Sequence, residues 1–441
     1  MTTAPASAAT VADQGHAMHE LIGRLFPICR SITGDGVRAT LAALADEGLP
    51  LEQFEVPTGT AAFDWEVPKE WNIRDAYVAD SSGRRVIDFQ RSNLSVVGHS
   101  VPVDARMSLD ELRPHLHTAP DVPTAIPYRT SYFRESWGFC LPHDELATLG
   151  EGEYEVRIDS TLDKGHLTYG EVFLPGETSA EVLVSAHVCH PSLANDNLSG
   201  VAVATYLAKE LTRGPRRRLS YRFVFAPGLI GAIVWLARNE DAAERVQHGL
   251  VLACAGDAGR PTYKRTRRGD APIDRAVAHV LAHSGRPHDL REFSPFGYDE
   301  RQYNSPGFDL PVGVFMRTPY GEYPEYHTSA DDLTVVRPEA LADSLATLLA
   351  TFDVLDGDQR YLNLNPKTEP QLGKRGLYRQ LGGGKPGGDV ELALLWVLNL
   401  SDGSHSLLDI AERAGLRFAA IREAADALAG VGLLAPADNG G

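Results

Sequence analysis

Cysteine is scarce in this sequence: Cys29, Cys140, Cys189 and Cys254 are spread singly through 441 residues and never form a Cys-x-x-Cys pair. That spacing argues against a disulfide framework and fits reduced thiols in a cytoplasmic protein. Positive charge is also in deficit, with 42 Lys and Arg against 59 Asp and Glu and a formal net charge of −17. Phosphate contacts need clustered cations, so neither a nucleic acid nor an anionic membrane is an expected partner. Long apolar runs are missing. The opening Met1-Thr-Thr-Ala-Pro-Ala-Ser-Ala-Ala-Thr10 has neither a basic start nor an apolar core, so a short flexible tail (1–14) is expected, with no signal peptide or membrane span. What remains is ordinary globular composition, 43% hydrophobic and 23% charged, in a chain long enough for two or three domains.

The texture changes along the chain. His19 to Phe26 and Asp35 to Ala45 carry apolar residues at helical spacing, separated by Pro27 and the turn-forming Ser31-Ile-Thr-Gly-Asp-Gly36, and Leu51 to Val56 reads as a strand. Short strands, turns and aromatics then dominate 57–150, a stretch read as an inserted, largely β module whose aromatics serve as core or as a lid. From Glu153 strands and helices alternate: Tyr154 to Ile158, Leu167 to Leu174, Glu181 to Ala186, Tyr221 to Ala226 and Gly249 to Cys254 read as strands. Helices follow Gly200, begin at Ala232, and cover Asp274 to Ser284 and Pro338 to Asp353. The expectation is an α/β domain (15–56 with 151–362) whose mixed sheet is covered by helices on both faces. A Pro- and Gly-bearing linker, 363–388, leads to three helices and a candidate wing strand in 389–441, a winged-helix-like outline. Residues 385–441 hold four Lys and Arg against eight Asp and Glu, which points to protein contact or self-association and away from DNA.

The chemistry concentrates after one buried strand. Val182-Leu-Val-Ser-Ala-His187-Val-Cys-His190 runs on to Asn195-Asp196-Asn197-Leu-Ser-Gly200, so His187 and Asp196 flank a strand-to-helix crossing, where open α/β sheets bind ligands. A third group, His327, sits in the polar turn Glu322-Tyr-Pro-Glu325-Tyr-His327. Two imidazoles and one carboxylate with an open fourth position make a catalytic zinc site. Asp257, past the apolar Leu250 to Cys254 strand, is a fourth candidate ligand, and His190 is either a ligand in place of His187 or a group on the pocket wall. Glu300, Glu325 and Glu322 are the available bases. An extended backbone at Glu325 would aim it to the same side as His327. Arg301 and Tyr303, beside Glu300, are candidate substrate contacts, and the basic run Tyr263-Lys264-Arg265-Thr-Arg267-Arg268 suggests neutralisation of an anionic substrate group.

Five segments carry a family resemblance: Phe63-Asp-Trp-Glu-Val-Pro-Lys-Glu-Trp-Asn-Ile73, Cys189-His-Pro-Ser-Leu-Ala-Asn-Asp-Asn-Leu-Ser-Gly200, Asp299-Glu-Arg-Gln-Tyr303, Tyr323-Pro-Glu-Tyr-His-Thr-Ser329 and Glu369-Pro-Gln-Leu372. The chain resembles the M28-type zinc aminopeptidases, and more closely the bacterial DUF4910 proteins that carry an inserted DUF2172 module and a C-terminal winged helix. The resemblance implies His187, bridging Asp196, Asp257 and His327 as metal ligands. It also shows a departure. Where M28 enzymes carry Glu-Glu as base and second-metal ligand, this chain reads Phe225-Ala-Pro227-Gly228-Leu-Ile-Gly231, and Cys189 stands where those proteins hold an Asp that orients the first His. A one-zinc site, with two metals as the alternative, or a scaffold that has lost hydrolysis, follows. The expected function is a zinc-dependent hydrolase of an amide or peptide bond in a small or peptide-like substrate, in polysaccharide or secondary-metabolite biosynthesis. A one-zinc acyl or aminoacyl transferase or cyclase, and a non-catalytic interaction protein, are the alternatives.

Overall fold

The apolar run beginning at Val182 becomes the strand Glu181–His187, buried at every position. It is the fourth of eight strands in a mixed sheet ordered Glu52–Pro57, His166–Leu174, Ser220–Ala226, Glu181–His187, Val246–Leu252, Val312–Met316, Thr262–Lys264 and Asp289–Arg291. Glu181–His187 lies parallel to both neighbours, and the chain crosses between parallel strands through the helices Gly200–Arg213 and Ile230–Arg238. Central parallel strands are buried on both faces, which is why Ser220–Ala226 is also inaccessible along its whole length. Leu183, Val224, Ile233, Trp235 and Val251 belong to one apolar core.

The computed structural model describes residues 8–377 and 389–437. The first half of the expected tail and residues 378–388 of the expected linker lie outside them, and from Ala8 the chain is already helical, as part of Ala8–Leu25. Contacts divide the chain into two compact units, 1–271 with 289–346 and 272–288 with 347–441. Among the described residues no helix is long and apolar enough to cross a membrane.

The strand near Tyr154, assigned from sequence to the main sheet, belongs instead to the inserted module. It runs Glu153–Asp163 at the centre of an antiparallel sheet ordered Arg85–Asp88, Glu70–Ala79, Glu153–Asp163 and Val103–Ser108. The reason is its alternation: Tyr154, Val156 and Ile158 face the module's core while their neighbours are more exposed, which suits a sheet with one covered face. The module's aromatics divide. Trp71 is core and donates its indole N–H to Ser100 O at 2.9 Å, whereas Phe63, Trp65 and Phe133 are exposed.

The second unit has the winged helix-turn-helix outline: helices Asp389–Leu400, Leu407–Ala414 and Phe418–Gly430, with a sheet ordered Asp402–Ser406, Arg360–Asn363, Leu434–Pro436. Two of these strands escaped the sequence reading. Asp402-Gly-Ser-His-Ser406 has no apolar alternation, and Arg360–Asn363, placed at the end of the α/β domain, pairs with both other strands here. The helix Pro272–Ala282 also belongs to this unit. Its Arg275 binds Asp409 at 2.6 Å and Glu412 at 2.5 Å, and its His279 Nε2 accepts the backbone N–H of Phe418 at 3.0 Å.

Burial, helped by the neighbouring His283, lowers the His279 pKa to about 4. An unfolded histidine takes its proton near pH ~6.5, so the unfolded chain binds a proton that the folded unit refuses, and stability falls as pH drops through that window. The thermal midpoint of the whole protein should therefore fall between about pH 7 and about pH 5, and fall less in His279→Gln, whose amide oxygen can still accept the Phe418 bond. An equal fall in both proteins would remove His279 as the source.

Candidate functional site

The site forms where Glu181–His187 ends. His187 is the last residue of the strand, and the chain then turns through 188–199 before the helix Gly200–Arg213. Asp196 is fully buried in that turn: one carboxylate oxygen lies 3.0 Å from His187 Nε2, the other 2.9 Å from His327 Nε2 and 3.9 Å from His190 Nε2. Burial alone would raise the Asp196 pKa. The surrounding His190, His187 and His327 imidazoles overturn that and hold it well below the usual carboxylate range. Burial pushes His190 well below the ordinary imidazole value, so it stands as a neutral nitrogen base.

The residues around Asp196 have physical tasks that explain the Asp-x-x-Ser-Gly spacing. Asp331 accepts the backbone N–H groups of Asn195 and Asp196 at 2.7 and 2.9 Å, one on each oxygen. Ser199 Oγ donates to Asn195 O at 2.7 Å and accepts Ala255 N–H at 2.8 Å, tying the turn to the segment after the neighbouring strand. At Gly200 a Cβ would stand 2.4 Å from both Asn197 Oδ1 and Leu252 O, so only glycine lets the Asn197 amide lie against that strand.

A cavity of about 290 Å³ opens in front of this cluster. Its wall is aromatic, with Tyr128, Tyr132, Tyr298, Tyr320 and Tyr326, and among the described residues lining it none is Lys or Arg. Tyr298 stacks on His187 at 5.1 Å and Tyr326 on His327 at 4.0 Å. Tyr128 and Tyr132 come from the inserted module and share a 2.5 Å hydroxyl contact, and Tyr128 N–H donates to His327 O at 2.8 Å. The module thus supplies both core and part of the cavity wall.

One carboxylate on this wall was not singled out as a base from the sequence. Asp299, 2% exposed, accepts Leu229 N–H on Oδ1 at 2.6 Å, while its Oδ2 has no hydrogen-bond partner. Burial raises it to about 6, against the opposing pull of His187 and the Leu229 N–H. Leu229 lies in the Pro227-Gly228-Leu229 turn that stands where Glu-Glu is missing. A Cβ at Gly228 would come within 3.3 Å of Cys189 Sγ, which would have to give by a few tenths of an ångström, and would be in ordinary contact with His187 Cβ at 3.5 Å. Cys189 Sγ itself accepts Gly228 N–H at 3.1 Å, and burial pushes its thiol up to about 12. The sequence signal for Asp299 was present, since it opens the Asp299-Glu-Arg-Gln-Tyr303 motif, but which of two adjacent carboxylates faces the cavity is a matter of backbone direction.

Several expected site residues are brought elsewhere. Asp257 clamps loops, accepting Asn195 Nδ2–H at 3.0 Å, Gly259 N–H at 2.6 Å and the Thr318 hydroxyl at 2.6 Å. Glu300 is buried against Lys264 Nζ at 2.8 Å. Glu325 lies in a turn whose carbonyl accepts Thr328 N–H at 3.1 Å, and His327 has φ 55°, so the extended geometry that would have aimed both side chains together does not occur. Glu322 pairs with Arg291 at 2.8 Å. Tyr303 is core and donates to Ser185 Oγ at 3.1 Å, and Arg301 is not among the cavity's lining residues. The basic run is paired within the protein: Arg265 with Glu292 at 3.4 Å, Arg267 and Arg268 with Asp309 at 2.8 and 3.2 Å. Its Lys264 sits on a short buried strand, which a run of charged residues gives no reason to expect. His187, His190, Asp196 and His327 are the expected residues that do converge.

Three imidazoles and a carboxylate are zinc-type donors, and ligand atoms of His187, His190 and Asp196 lie within 4.8 Å of one another. Sheet order, crossover helices and a polar cluster at the strand ends together define the fold of the zinc aminopeptidases. The Bacillus subtilis zinc aminopeptidase shares it at TM-score 0.57 and 14% identity, over 80% of this chain and 95% of that one, and an M28 peptidase precursor from Shewanella amazonensis at TM-score 0.53 and 14% identity, over 78% and 94%. The chain belongs to the DUF4910 family, a domain of unknown function whose model matches residues 19–358, and a winged helix-turn-helix model matches residues 359–436. A Clostridium acetobutylicum protein, provisionally named for polysaccharide biosynthesis with an aminopeptidase-like domain, is 52% identical over 422 residues, 96% of each chain. A crystal structure from that organism, provisionally named a peptidase, matches at TM-score 0.92 and 50% identity, over 97% of this chain and 98% of that one.

Proposed function

We propose that this protein is a zinc-dependent, aminopeptidase-like hydrolase that cleaves an amide or peptide bond in a small substrate, within cytoplasmic polysaccharide or secondary-metabolite biosynthesis. Asp299 carries the reading. It lines the cavity with one oxygen anchored by Leu229 N–H and the other buried without a partner, and it is raised to about 6, so it is ionised yet basic near neutrality. It takes a proton from a water molecule in the cavity as that oxygen attacks the amide carbon, and returns it to the departing amine as the C–N bond breaks. Zinc held by Asp196 and His327 with a further imidazole would supply the Lewis acid. The tyrosine wall, with no Lys or Arg among its described residues, favours a neutral group or an amine over a carboxylate or phosphate. Full-length, zinc-loaded protein offered a panel of aminoacyl p-nitroanilides should release the aniline from at least one member. No release from any, or transfer of the acyl group to an added amine instead of water, would defeat hydrolysis as the activity.

The winged unit is proposed as a protein-contact or self-association module. Its helical part, 385–441, holds four Lys and Arg against eight Asp and Glu, a balance that disfavours the counterion-releasing contacts DNA binding draws on. Full-length protein titrated onto duplex DNA should show no salt-sensitive binding, and an affinity that falls steeply with added salt would overturn this.

A further inference from the structure

Distance alone would make His187 a ligand, because its Nε2 lies 3.0 Å from Asp196 Oδ1. The proton decides otherwise. Its other ring nitrogen, Nδ1, lies 3.2 Å from Asn197 Nδ2. Which end of the Asn197 amide faces the ring is settled by two backbone groups: Nδ2 donates to Leu252 O at 3.0 Å, and Oδ1 accepts Cys254 N–H at 3.2 Å. Turning the amide over would set an oxygen against the Leu252 carbonyl and an NH₂ against the Cys254 N–H, losing both bonds inside a side chain that is 2% exposed. An NH₂ group only donates, and the hydrogen not given to Leu252 lies nearer Nδ1, at 3.2 Å, than the His187 carbonyl it also reaches at 3.4 Å, so Nδ1 accepts and carries no proton. In the neutral ring the proton is then on Nε2, which donates it to Asp196 and has no lone pair left for an ion.

We propose that Asn197 locks His187 as a hydrogen-bond donor that positions Asp196, and that a divalent ion is bound by Asp196 Oδ2 with His190 and His327. This rests on the zinc reading above and changes its ligand set. A histidine ligand ordinarily gives its second ring N–H to an acceptor, and the residue after Asp196 offers a donor in that place. His187 is thus a positioning residue, with Asp196 divided between it on one oxygen and the ion on the other.

Two measurements test this without reference to turnover. In metal-free, full-length protein labelled with ¹⁵N-histidine, the His187 ring should show a protonated Nε2 and a bare Nδ1, and the opposite tautomer would overturn the lock. Zinc affinity then assigns the ligands. His187→Gln keeps an N–H in place for Asp196 and should hold zinc within about tenfold of wild type, whereas His190→Gln and His327→Gln, which remove ligands, should each lose more than about 100-fold. Asn197→Asp, which puts an acceptor beside Nδ1, should move the His187 proton to Nδ1. Zinc bound by wild type but lost as severely from His187→Gln as from His327→Gln defeats this ligand set alone. Failure of the wild-type protein to bind zinc at all defeats the zinc reading from which it starts.

Discussion

Asp299→Asn is expected to lower turnover by about 10²- to 10⁴-fold while zinc content stays at the wild-type level, the range a general base contributes. The substitution keeps an oxygen for the Leu229 N–H, 2.6 Å away, and removes only the basicity of the unengaged position. Two further signatures separate a base from a structural carboxylate. Wild-type activity should fall on the acid side of about pH 6, where Asp299 takes up its proton, and that limb should disappear from the residual activity of the variant. The variant should also be the more stable protein near neutrality. A carboxylate raised to about 6 by burial holds a proton that the unfolded chain has already released above pH ~3.9, so the native state loses stability as pH rises through that interval. Asparagine has no such cost. Glu325→Gln, by contrast, should leave turnover nearly unchanged. If Asp299→Asn retains activity and Glu325→Gln loses it, the base has been misplaced.

Asp331→Ala should produce the largest loss of stability among single substitutions near the site. Asp331 is fully buried and accepts two backbone N–H groups, those of Asn195 and Asp196, at 2.7 and 2.9 Å. Removing it leaves both donors without a partner. Each buried orphan costs about 1–3 kcal/mol, so the expected loss is about 2–6 kcal/mol at acid pH, and less near neutrality, where the variant is also rid of a carboxyl that burial raises to about 7. Urea unfolding of the whole protein measures it, and a loss below about 1 kcal/mol would show that water or a backbone shift satisfies the two groups. Asp331→Asn should lie between, since its amide oxygen keeps one bond while its NH₂ faces the other donor. Zinc affinity should fall in parallel, because the Asp331 bonds hold the backbone that presents Asp196.

Much of the site was legible because its parts announce themselves chemically. A buried strand ending in His187, a turn carrying Asp196, and a polar loop carrying His327 are local patterns, and the structure brings all three together. The residues that the fold sets apart from the cluster share a cause. Asp257, Glu300 and Glu325 are carboxylates close in sequence to the chemistry, but a carboxylate's role depends on what lies beside it. Asp257 meets Thr318, Glu300 meets Lys264, and the turn at Glu325 takes it away from the cavity lining. The basic run follows the same rule, because Asp309, which pairs with Arg267 and Arg268, lies 41 residues beyond Arg268.

Local residue patterns were enough for the burial of Glu181–His187, read from its apolar run, for the helices, read from their periodicity, and for the absence of Glu-Glu at Pro227-Gly228. Contacts between distant segments were needed to place Glu153–Asp163 in its sheet, to bring Asp299 to the cavity lining, and to assign the His187 proton. The physical reason is the same in each case. Strand pairing, burial of a charge and the direction of an amide are set by partners distant in the chain, such as Leu252 and Cys254 for Asn197, and local residue patterns contain no record of them.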